Sequence, residues 1–183
     1  FMKKKLLKLL AVMTISITAI FALGITASAE TVGAFEVTGG DLYTDYAYAG
    51  DVLTIYTSTP LTIKNTTPST PTTDRIEVAL GISANITLAG VNIDVSGTEN
   101  AAAFKIADNS TGNVTITLAD GTTNTLKSGT NCAGLQKNGG YSDELGMLTI
   151  TGTGTLTATG GESGAGIGGG YNGNGSNIEI SGG

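Results

Sequence analysis

Few side chains in this sequence could do chemistry, and their types limit what that chemistry could be. Asp143 and Glu144 form its one adjacent acidic pair. Two carboxylates helped by backbone carbonyls can hold Ca²⁺; the plainer reading is a polar loop. Asp94, Asp108 and Asp120 are further metal candidates, spaced as if in neighbouring repeats. Lys105, Lys127 and Lys137 could line one face and meet an acidic glycan, or could be scattered solvated lysines. Tyr171 stands in a glycine-rich loop. Its ring could stack on the C–H face of a sugar, or simply cover glycine backbone.

Other schemes lack their parts. There is no histidine and a single cysteine, Cys132, which excludes the usual zinc and Cys-His arrangements. Cys132 reads as a small buried hydrophobe. The lone arginine, Arg75, follows Asp74 and reads as half of a loop ion pair rather than as a base. No Asp-Asp pair suggests the two carboxylates of a glycoside hydrolase. Gly164, Gly166 and Gly169 match a dinucleotide fingerprint, but that motif needs a helix behind it, and a strand pattern follows here. The stretch 168–177 is like glycine-rich calcium repeats without their regular aspartate.

The elements that must position these residues begin with a leader. Lys3, Lys4, Lys5 and Lys8 precede a long apolar run that ends in Ala27-Ser28-Ala29. This is the layout of a secretory signal helix, cleaved after Ala29, with a retained membrane anchor as the rival reading; it places the protein outside the cell or on its surface. The membrane is then a partner only during export. Loss of residues 1–29 leaves five basic against fifteen acidic residues, a net charge of −10. Nucleic acid is a poor partner for such a surface.

The rest is rich in Thr, Val, Ile and Gly, which favours strands and turns over helices. Five segments share one pattern, with first apolar residues at Leu61, Ile86, Val114, Leu148 and Ile178. Asn85, Asn113 and Asn177 each stand before such a segment, where a left-handed corner would select asparagine. Further short strand-like segments precede and follow most of them. Each repeat therefore reads as one coil of about three strands. One coil cannot bury its own apolar face, so coils must stack with parallel pairing and inward ladders of Ile, Leu and Val. This predicts an all-β parallel β-helix, or solenoid, of about five coils over 59–183. Ile63, Leu88, Ile116, Ile150 and Ile180 are expected in one interior column. Residues 30–58, with Phe35, Tyr43, Tyr46, Tyr48 and Tyr56, are expected to cap the first coil. The pattern stops midway at 181–183, which reads as a helix truncated from a longer protein.

The segments 119–126, 132–139, 148–161 and 164–183 carry a resemblance. They are similar to exported right-handed parallel β-helix proteins of Gram-positive, clostridia-like bacteria, carbohydrate-binding or adhesin-like and related in fold to pectate lyases. The resemblance implies right-handed coils, a place at the cell surface, an acidic or plant-type polysaccharide as ligand, and often Ca²⁺. The expected function is a non-catalytic module that binds a polysaccharide or a host or cell-surface glycan. The alternative is a structural stalk or adhesin segment. A polysaccharide lyase is the least favoured reading, since a lyase needs a basic residue at the proton and carboxylates on Ca²⁺.

Overall fold

The computed structural model describes residues 28–140 and 145–183. Among them every regular element is a strand. The expected signal helix, apart from Ser28 and Ala29 at its end, lies outside the described residues, as do Asp143 and Glu144.

The chain enters through β1 (Ala29–Val32), β2 (Phe35–Thr38), β3 (Tyr46–Ala49) and β4 (Val52–Ile55). It then forms β5 (Leu61–Asn65) and winds through three complete three-sided turns. The first is β6 (Arg75–Val78), β7 (Ala84–Leu88) and β8 (Asn92–Asp94). The second is β9 (Phe104–Ile106), β10 (Val114–Leu118) and β11 (Thr123–Lys127). The third is β12 (Leu135–Lys137), β13 (Leu148–Gly152) and β14 (Thr155–Thr159). A partial turn of β15 (Ile167–Gly168) and β16 (Ile178–Ile180) follows.

Three sheets result. A seven-stranded sheet runs β1-β2-β5-β7-β10-β13-β16, a six-stranded one β15-β12-β9-β6-β4-β3, and a three-stranded one β14-β11-β8. Turn-to-turn pairing is parallel throughout. The entry strands differ: β1 with β2, β2 with β5, and β3 with β4 are antiparallel. The five expected coils are thus three complete turns with an incomplete turn on each side. In the first incomplete turn a single bridge, Thr72 to Ile93, stands where a third strand would be. The Pro/Thr-rich stretch before Thr72 is too irregular to form that strand, because proline withholds a ladder donor.

Alternation decides which side chains face in. Leu61, Ile86, Ile116 and Ile150 make one buried column, continued by the exposed Ile180. Ile63, Leu88 and Leu118 make the next, and Gly152 ends it. Each fully buried Ile or Leu contributes about 1.5–3 kcal/mol of transfer free energy. The expected single column of Ile63, Leu88, Ile116, Ile150 and Ile180 is therefore corrected by a two-residue slip between its second and third members. The cause is Asn85, which is not a corner but lies inside β7, paired with Thr115. A slip of two keeps every side chain on its face, so alternation alone could not detect it.

Entry aromatics divide between core and surface. Phe35 and Tyr46 are buried, whereas Tyr43 and Tyr56 are exposed. Outside, Thr62, Thr87, Thr117 and Thr151 stand in one column on the seven-stranded sheet.

Candidate functional site

The outer face of the six-stranded sheet gathers the most varied side chains. Thr54, Glu77, Lys105, Gln136 and Gly168 follow one another down successive strands. Their inward neighbours Leu53, Ile76, Phe104 and Leu135 are fully buried. The same packing that fills the core therefore fixes the polar column outside. A cavity of about 130 Å³ opens over it, lined by Arg75, Glu77, Asn100, Lys105, Cys132 and Gln136 among others.

Hydrogen bonds orient these groups. Gln136 is only 7% exposed, and its Oε1 accepts from Ala133 N at 3.2 Å. That leaves its amide N–H groups, which have no acceptor among the described residues, for the cavity. Lys105 Nζ lies 3.6 Å from Asp108 Oδ2. Arg75 does not pair with Asp74, contrary to expectation. Asp74 Oδ2 instead accepts from Tyr48 Oη at 2.7 Å and from Ala34 N at 2.8 Å. Among the described residues the Arg75 guanidinium makes no ion pair. Arg75, Lys105 and Gln136 thus bring donor groups to the lining of one cavity, with Asn100 beside them and Glu77 as the one carboxylate in that lining.

Asn100 and Asn131 support the rim. Both have positive φ, 58° and 70°, and Asn131 Nδ2 donates to Asn100 Oδ1 at 3.0 Å. Ser163 continues this corner at φ 67°, with Asn131 N donating to Glu162 O at 2.7 Å. A left-handed asparagine corner does exist, but here rather than at Asn85 and Asn113; only Asn177 of the expected three has positive φ, at 52°. Cys132 is buried as expected, and burial pushes its thiol up, offset in part by nearby Lys105 and Arg75.

The three lysines do not share a face. Lys105 is on the cavity. Lys127 lies outside the three-stranded sheet, 3.1 Å from Asp94 Oδ2. Lys137 is 4% exposed and continues the interior Ile55, Val78, Ile106 column. Their spacings of 22 and 10 residues do not match one turn, so each falls on a different side.

Tyr171 is 62% exposed on the loop after β15. Its backbone N donates to Asn131 O at 2.8 Å, which seats that loop against the corner bearing Asn131 and Asn100. The metal candidates do not converge. Asp94 accepts from Ser96 Oγ at 2.6 Å, and the hydroxyl and amide of Ser96, aided by Lys127, hold its carboxyl below the usual range. Asp108 belongs to the cavity flank, and Asp120 accepts from Thr153 Oγ1 at 2.8 Å. No three metal-ligating side chains come together among the described residues.

Arg75, Glu77, Asn100 and Gln136 were not among the expected ligand contacts. Glu77, Lys105 and Gln136 each follow a buried residue and stand one turn apart, at intervals of 28 and 31 residues. That spacing was the available signal. Compared with known proteins, the chain finds no match: no family model, no curated protein and no solved structure.

Proposed function

We propose that this protein is an exported, non-catalytic module that binds a polysaccharide at the cell surface along the outer face of the six-stranded sheet. In this reading it is a right-handed β-helix of the pectate-lyase-like kind, with five coils when the incomplete ones are counted, delivered by the signal segment 1–29. Right-handed travel is the general rule for parallel crossovers. The observation that carries the reading is the cavity over Arg75, Lys105 and Gln136. Its donors suit the carboxylate and hydroxyl oxygens of an acidic sugar, and Glu77 can accept from a hydroxyl. Tyr171 on the neighbouring loop adds an aromatic face.

The test is titration of the exported chain with oligogalacturonate and neutral oligosaccharides, with and without EDTA. Binding of the acidic oligomer, lost in Arg75→Ala and Lys105→Ala, supports the module; no binding to any glycan sinks it. The EDTA arm reads Ca²⁺ dependence, with Asp143 and Glu144 the carboxylates to substitute. Unsaturated uronate product in the same samples would instead establish a lyase. The stalk reading draws on the regular threonine column of the seven-stranded sheet, and it gains if no sugar binds.

A further inference from the structure

Asn138, just after β12, makes two side-chain bonds in opposite directions. Its Nδ2 donates to Asp108 Oδ1 at 3.0 Å, one turn earlier. Its Oδ1 accepts from Gly170 N at 2.9 Å, one turn later. The other oxygen of Asp108 faces Lys105 Nζ at 3.6 Å. Lys105 lines the cavity, and Gly170 immediately precedes Tyr171. A single amide therefore links the cavity lysine to the backbone of the tyrosine loop. The role calls for an amide, because one end must donate and the other accept; aspartate cannot donate there, and leucine can do neither. Neighbours on both sides clasp the far part of the same loop: Lys137 Nζ donates to Ser176 O at 2.9 Å, and Gly139 N donates to Asn174 O.

We propose that Asn138 is a positioning residue that couples the state of Lys105 to the Tyr171 loop. The sign follows from charge. When Lys105 turns toward an anion, Asp108 becomes the stronger acceptor. The Asn138 amide is then more polarised, and its oxygen holds Gly170 N more tightly. The loop bearing Tyr171 closes down when the cavity is engaged. The ligand half of this proposal rests on the glycan reading above; the link between Lys105 and the loop does not.

The experiment is amide hydrogen exchange at Gly170 and Tyr171, followed by NMR in the exported chain. Asp108→Ala is expected to speed exchange at Gly170 by about two- to fivefold, and Lys105→Met to slow it by about twofold. In an Asn138→Ala background both effects should vanish, while exchange in the core of β10 stays unchanged. If Asp108→Ala leaves Gly170 unaffected, or acts equally without Asn138, the coupling is overturned. Oligogalacturonate should slow Gly170 exchange as Lys105→Met does. Absence of glycan binding with the variant effects intact retains the coupling and rejects the glycan reading. Glycan binding with no variant effect does the reverse.

Discussion

The ammonium of Lys137 donates to the backbone oxygen of Ser176 at 2.9 Å from a position that continues an aliphatic column. Burial holds its pKa below the ordinary lysine value. The unfolded chain therefore binds more protons than the folded one between the lowered pKa and the ordinary value. Stability should rise with pH across that window and fall again as pH drops through the lowered pKa. Lys137→Met removes this dependence, so its stability should stay flat across the window in which that of the parent rises. Urea unfolding across neutral and alkaline pH measures both effects.

Asn124 is fully buried, and its Oδ1 accepts from both Gly90 N at 3.0 Å and Val91 N at 2.9 Å. Asn124→Leu fills the space but leaves two backbone donors without a partner. A loss of about 2–4 kcal/mol is expected, read as a lower urea midpoint. A loss below about 0.5 kcal/mol, the scale of ordinary surface substitutions, would mean that the backbone re-pairs at that corner.

Gly152 and Gly121 separate two costs of left-handed backbone. Both have positive φ, 100° and 66°. A methyl at Gly152 would overlap the backbone of Leu118, whereas one at Gly121 meets nothing within 4 Å. Gly121→Ala should cost about 1 kcal/mol for conformation alone. Gly152→Ala should cost about 3 kcal/mol or more, because one turn must lift off the next. Thermal melts of the two variants give the comparison.

Cys132 combines burial with a raised pKa. Its alkylation by iodoacetamide at neutral pH should be slower than that of the unfolded chain by at least about tenfold. The rate should climb steeply through the unfolding transition. Fast labelling of the folded protein would show that the cavity floor opens readily.

Much of this architecture was legible as alternation. Apolar residues two apart in 114–118 and 148–150 marked both the strands and their inward faces. The coil as a stack of parallel strands followed from the repeat alone. The exact pairing did not, because the threonine-flanked segments tolerate a shift of two. The site was harder. Lys105 was visible as a charge after an apolar residue, but its partners lie a whole turn away, on segments whose spacing varies with loop length. Arg75 looked paired with its chain neighbour Asp74, and only the fold shows Asp74 taken up by Tyr48 and Ala34.

The antiparallel entry has a consequence for assembly. Near-identical rungs such as Thr115-Ile116-Thr117 and Thr149-Ile150-Thr151 could align in more than one phase with little change in burial. A hairpin has no such freedom, since its short turn dictates which residues meet. The turn at Gly33-Ala34 fixes Val32 opposite Phe35 in this way; β2 then meets β5 across a longer connection, where Phe35 opposite Asn65 and Val37 opposite Ile63 set the first rung by their own side chains. Every later rung inherits its phase from the one before, as in a zipper whose teeth are alike and whose starting box decides the alignment.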